Sequence, residues 1–265
     1  AAGGAAAAGA PPPPPPPTYV DGTFEAFAAA EFAEGGTMTV AGFGSLLSQT
    51  SSRSTFPDLR NFRTGKLSGW RRVFAHTAPI FFERGVARAA TGEIASLSCE
   101  PAPDAEIVVT LFEVPCTPES VAAFVEREHE FRFAAVLVRE AGPLPLRSPA
   151  VLCTRWTDAE YRAERCSAEG EYEARYGRWG VEKIWRDDVL PCRVYLRHCV
   201  LAARGLGDEE LASFLDGTYL ADRATTVRDH LAGDPTIMEE EPPAALVGRY
   251  SGGLGGRTAE GVPGK

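Results

Sequence analysis

The hydrophobic period changes several times along the chain, and each change predicts an element. Val121, Phe124, Val125 and Phe131 recur at helical spacing, and Glu128 falls within the same stripe. Thr117-Pro118-Glu119-Ser120 supplies the start of this helix, with a cap residue, a proline at the first helical position and an acid in the first turn. At about 100° per residue the Glu128 carboxylate points inward with the phenyl and valyl groups. An ionised acid there is costly. Glu128 should therefore neutralise, take a cationic partner such as Arg71, Arg72 or Arg84, or serve in proton transfer. Its neighbours His129 and Glu130 project to other helical faces and are expected in solvent.

Shorter runs carry the strand signal. Residues 37–41 read as a strand running into Gly42-Phe43-Gly44-Ser45-Leu46, the strongest glycine turn of the chain. Residues 72–75, 93–98, 107–114, 133–138 and 150–154 follow as strands rich in valine, leucine and phenylalanine, separated by glycine, proline or serine clusters. Strands with inserted helices, in place of regular βαβ alternation, predict an α+β fold built on a mixed sheet or small barrel. Helices are expected at 24–32, at 193–204 closed by Gly205, at 208–215 before Gly217 and at 222–231 closed by Gly233.

The boundaries follow from these patterns. Residues 1–18 form an arm whose first seventeen positions hold only alanine, glycine and proline and end in seven prolines. Such a stretch is extended and has no core of its own, acting as a spacer or as a ligand for a proline-binding partner. It lacks arginine and serine, so it does not read as a presequence itself, though it could be what remains once one is removed. Residues 19–165 form the core, 166–235 a helical extension packed on it, and 236–265 an acidic and then glycine-rich tail expected to be extended or disordered.

Composition narrows the chemistry. With 265 residues and 44% hydrophobic positions the chain can bury a sizeable core, and no apolar run reaches membrane-spanning length. A net charge of -9 argues against nucleic acid as the main partner. The cluster Arg60, Arg63, Lys66, Arg71 and Arg72 reads as a solvated face balanced by nearby acids, with binding of a small anion as the alternative. Six cysteines show no zinc-ribbon or redox spacing and read as buried or free thiols, and four histidines give little material for a triad or metal centre. No metal or other cofactor is expected. Trp70, Trp156, Trp179 and Trp185 read as core or interface residues, and Lys183 to Asp188 as an ion-pair region.

Three motifs, taken together and in order, resemble a known family. Gly42-Phe43-Gly44-Ser45-Leu46 after a strand is similar to the Tyr-Gly-Ser-Leu signature of the gamma-glutamylcyclotransferase-like proteins, which include glutathione-degrading enzymes. Gly69-Trp70-Arg71-Arg72-Val73-Phe74 resembles their second signature, a glycine followed by basic residues and an aromatic. Phe124 to Phe131 is similar to their helix ending in an Arg-Glu pair with a tyrosine three residues on, which places the family's acid on Glu128. The resemblance covers residues 38–155. The whole chain looks most like plant and green-algal members of the superfamily, which implies the chloroplast stroma, with the cytoplasm as the second choice.

The resemblance implies a reaction. A glutamate takes a proton from the free α-amine of a γ-glutamyl group, which attacks its own γ-carbonyl, closes 5-oxoproline and releases the amine. One base suffices because the step is intramolecular. Glu128 would be that base. The turn 42–46, with Phe131, would bind the substrate, its backbone N–H groups facing a carboxylate or developing oxyanion. Phe43 and Phe131 stand where the family has tyrosine, and the strand 150–154 lacks a further one, so two or more phenolic hydroxyls are missing. The other function compatible with these departures is a non-catalytic binding or assembly subunit that retains the scaffold, with a protein partner engaged through the proline-rich arm or the helical extension.

Overall fold

The computed structural model describes residues 18–19, 36–140 and 149–253. The expected helix at 24–32 and most of the arm lie outside the described residues. Nine strands form one mixed sheet: β1 (Thr18–Tyr19), β2 (Thr37–Gly42), β3 (Arg60–Thr77), β4 (Glu93–Pro115), β5 (Arg132–Val136), β6 (Arg139–Glu140), β7 (Ala150–Thr154), β8 (Leu190–Pro191) and β9 (Thr218–Leu220). Their order is β1-β5-β7-β2-β4-β3-β6, with β8 beside β4 and β9 beside β3. The antiparallel pair β3 and β4 is the spine. Three register shifts bend it, and one falls between Ser68 and Trp70, where Gly69 takes φ +84°. With this bend the sheet curls into an open half-barrel in an α+β fold.

Burial explains which strands are central. Every residue of β7 is buried, and in β2 all but Thr37, so both read as continuous apolar runs. The two pair in parallel, whereas β2–β4 and β5–β7 are antiparallel. The expected strands 93–98 and 107–114 are two halves of the single bent strand β4.

Among the described residues nine α-helices accompany the sheet: α1 (Gln49–Thr55), α2 (Pro79–Glu83), α3 (Pro118–Arg127), α4 (Asp158–Arg165), α5 (Glu171–Arg175), α6 (Arg193–Leu206), α7 (Asp208–Asp216), α8 (Val227–Gly233) and α9 (Val247–Tyr250). Helix α3 starts as the sequence predicts, with a reciprocal capping box between Thr117 and Ser120. Helix α6 lays Leu196, Cys199, Val200, Ala202 and Ala203 into the same core as β2 to β7. The helix expected from 222 starts only at Val227, because strand β9 is followed by a turn in which Asp222 accepts from the Ala224 and Thr225 N–H groups. As far as residue 253 the tail expected from 236 is not simply extended either, and residues 254–265 lie outside the described residues. A 3-10 turn at Pro235–Glu239 buries Ile237, and α9 buries Tyr250. No helix among the described residues is long and apolar enough to cross a membrane.

Candidate active site

Strand β2 delivers the glycine turn to the end of the sheet. Residues Ser45–Leu47 form a 3-10 turn in which the Leu47 N–H donates to Gly44 O at 3.0 Å, and the Ser45 backbone meets the Tyr195 hydroxyl. The Thr110 hydroxyl fixes the turn from below by donating to Leu46 O at 2.9 Å. Two glycines are required here by close approach. A Cβ on Gly42 would sit 2.6 Å from both Leu46 Cβ and Thr110 Oγ1, and one on Gly44 would sit 2.8 Å from the Tyr195 hydroxyl.

Glu128 arrives from the other side. Helix α3 ends at Arg127, and Glu128 is its C-cap at φ -98°, ψ 28°, not a mid-helical residue. The chain must turn at once into β5, and the Phe131 N–H donates to Glu128 O at 2.8 Å to close that turn. The apolar stripe continues past this stop because Phe131 packs in the site, on His76 at 4.9 Å between ring centres and on Trp185 at 5.7 Å. Glu128 has only 14% of its side chain exposed, and its cationic partner is the adjacent Arg127, whose Nε donates to Oε1 at 2.7 Å. The three arginines proposed as its partner are engaged elsewhere. Arg71 pairs with Glu100, Arg72 is buried among Thr218, Val108 and Ser213, and Arg84 donates to the Tyr250 hydroxyl.

A cavity of about 340 Å³ joins these parts. Phe43, Gly44, Ser45, Leu46, Glu128 and Phe131 all line it, and Gly42 lies behind it as a packing residue. The early helix stop also redirects the two neighbours expected in solvent. His129 is turned inward, with its Nδ1 3.0 Å from the Tyr161 hydroxyl. Glu130 lines the cavity with 25% of its side chain exposed, and burial, reinforced by the charge of Glu128, pushes its carboxyl up to about 7.

Opposite Glu130 stands His76, fully buried on β3. Its Nδ1 lies 2.6 Å from Ser96 Oγ, and its Nε2 lies 3.4 Å from Glu130 Oε2, out of alignment for a hydrogen bond. Burial lowers this imidazole to about 3, so it is neutral at pH 7. Cys153 also faces the cavity, and its thiol is driven well above its ordinary value by burial and by the charge of Glu128.

The phenols absent at positions 43 and 131 have counterparts that sequence alignment to the motifs does not reach. Tyr195 of α6 and Tyr250 of α9 both line the cavity, together with His198. The Gly252 N–H donates to His198 Nδ1 at 2.9 Å, which leaves the Nε2 proton for Ser51 Oγ at 3.3 Å, and burial lowers this imidazole to about 4. No spacing rule links these residues to the glycine turn, since they are brought in by tertiary packing alone. Among the described residues no group of histidine, cysteine and acid side chains is arranged to hold a metal.

No protein-family model matches the chain, and no curated protein sequence matches it. Solved structures do. A protein described as gamma-glutamyl cyclotransferase is 12% identical at a TM-score of 0.36, with 58% of this chain and 89% of that one covered. An uncharacterized human protein is 12% identical at a TM-score of 0.36, over 57% and 90% of the two chains. YkqA from Bacillus subtilis is 12% identical at a TM-score of 0.31, over 58% and 56%.

Proposed function

We propose that the cavity binds a small γ-glutamyl amine and cyclises it, with Glu128 as the general base. The observation that carries this reading is that the Glu128 carboxylate and the turn 43–46 line one cavity. In the reaction Glu128 takes a proton from the α-amine of the γ-glutamyl group. The amine nitrogen bonds to the γ-carbonyl carbon, the C–N bond to the leaving amine breaks, and the proton passes to that amine. Atoms balance without water or cofactor, and 5-oxoproline and the free amine are the only products.

The cavity supports each part of this step. The turn 43–46 forms part of the cavity wall, where its backbone would face an anionic oxygen of the substrate beside the Tyr195 hydroxyl. Phe43 and Phe131 exclude water from one wall and strengthen every polar interaction inside. The Arg127 guanidinium donates to the Glu128 carboxyl group and fixes its direction. Glu128→Gln keeps the side chain's shape and removes the base, so 5-oxoproline formation should fall by about two to four powers of ten with an unchanged melting curve. Equal turnover by wild type and variant would remove Glu128 from the role. A stoichiometric protein partner with no turnover on any γ-glutamyl amide would instead favour the assembly-subunit reading.

A further inference from the structure

Three guanidinium groups converge on the cavity from three separate elements. Arg84 follows α2, Arg127 ends α3, and Arg249 lies on α9 in the C-terminal segment. Arg127 is spent on Glu128. Among the described residues neither Arg84 nor Arg249 has a carboxylate partner; Arg84 Nη1 instead donates to the Tyr250 hydroxyl at 2.9 Å, with its guanidinium 5.9 Å from that ring's centre. The nearest acid in sequence, Glu83, is turned away and paired with Arg178.

Such an arrangement is unfavourable without a ligand. The Arg249 guanidinium is held below its ordinary value by loss of water and then by the charges of Arg84 and Arg127, so the three cations repel one another across the cavity. The chain as a whole carries a net charge of -9, and most arginines elsewhere in the fold meet acids, as Arg63, Arg71, Arg193 and Arg223 do. A surplus of positive charge lining a concave wall is what an anionic ligand would neutralise, and two guanidiniums without a carboxylate partner among the described residues offer forks for two carboxylates. The volume, about 340 Å³, is that of a small-molecule site.

On the reading that this cavity cyclises γ-glutamyl amines, we propose that Arg84 and Arg249 form a subsite for the leaving side of the substrate, and that the preferred leaving amine is an acidic amino acid carrying two carboxylates. The γ-glutamyl group lies toward the turn 43–46 and Glu128, and the acidic amine lies toward α2 and α9. Tyr250 orients Arg84 for this contact through the hydroxyl it offers as acceptor. The C-terminal segment therefore sets specificity, because it supplies both Arg249 and Tyr250.

The experiment compares γ-glutamyl-glutamate, γ-glutamyl-alanine and γ-glutamyl-lysine as substrates, and L-glutamate as a binding probe by calorimetry, on the full chain. Wild type should favour the glutamate amide over the lysine amide by at least tenfold in kcat/KM. Arg84→Gln and Arg249→Gln should each reduce that preference by about tenfold or more, mainly through KM, and should weaken L-glutamate binding. Glutamate binding that depends on both arginines, in a protein that turns over none of the amides, would retain the subsite and overturn the cyclisation. Turnover of all three amides with equal kcat/KM, unaffected by Arg249→Gln, would overturn the subsite and leave the cyclisation standing. Because Arg249 lies on an exposed terminal turn, its variant keeps the test decisive even if Arg84→Gln fails to fold.

Discussion

At the scale of single residues, the acids beside the α3 stop divide the work. Glu128 keeps an arginine partner, while Glu130 has lost water and faces a neutral His76. Glu130 is raised from its ordinary 4.5 to about 7, so between those pH values the folded protein binds more protons than the unfolded chain. Its contribution to stability is therefore complete below about pH 4.5 and is lost as pH rises through 7, by up to about 3 kcal/mol. In urea titrations at pH 5 and pH 8, wild type should lose more stability than Glu130→Gln, by on the order of 1 to 3 kcal/mol. Parallel behaviour of the two proteins would mean that Glu130 titrates as an ordinary surface acid. Glu130 was illegible in the sequence for a definite reason. Its inward direction depends on the helix stopping at Arg127, and no glycine or proline marks that stop. The glycine turn was legible because part of its constraint is local, a Cβ on Gly42 colliding with Leu46 four residues on, whereas the neighbour that crowds Gly44 is the distant Tyr195.

At the scale of elements, the strands could be read from runs of apolar residues because β2 and β7 are buried on both faces, and their continuous patterns follow from that burial. What joins the helical extension to the sheet could not be read, because it depends on one arginine within the basic cluster. Arg72 is 1% exposed and donates to Thr218 Oγ1 on β9 at 2.9 Å, to Val108 O on β4 at 2.8 Å and to Ser213 O on α7 at 2.7 Å. Its guanidinium also lies 5.1 Å from the centre of the Phe214 ring. Burial lowers it to about 10, but it remains a cation at neutral pH, satisfied by neutral acceptors. Arg63, Lys66 and Arg71 of the same cluster each pair with a carboxylate, and nothing in their spacing separates Arg72 from them. Arg72→Met should remove the guanidinium's bonds to the Thr218 hydroxyl, Val108 O and Ser213 O and destabilise the fold by about 3 kcal/mol or more. Arg72→Lys should recover little, since an ammonium group cannot span three elements as a guanidinium fork does. A urea midpoint for Arg72→Met equal to wild type would show that water satisfies those acceptors.

At the scale of the whole molecule, the C-terminal segment acts as part of the core and of the site. Its apolar residues are too sparse to give a period, and prolines, acids and glycines separate them, so composition pointed to a loose tail. Long-range anchors reverse that expectation. Arg193 at the start of α6 is 9% exposed and donates to Asp234 at 2.6 Å, Glu240 at 3.1 Å and Thr236 at 2.7 Å, while Arg197 donates to Met238 O at 3.0 Å. Ile237 is 1% and Tyr250 3% exposed, each contributing about 1.5 to 3 kcal/mol by burial. A chain ending at Asp234 loses both and also uncovers His198, whose Nδ1 now accepts from Gly252 and whose imidazole is lowered to about 4 by burial. In the full chain His198 stays neutral down to about pH 4, and the stability tied to its neutral form is lost only as pH falls from 6.5 toward that value. The shortened chain should melt several degrees lower, and its His198 ring protons, followed by NMR, should titrate near the ordinary value of 6.5. A His198 titration that stays near 4 after truncation would mean that α1 and α6 alone bury the ring. In that case the terminal segment would be a lid resting on a finished cavity, and its contribution to the site would reduce to Arg249 and Tyr250.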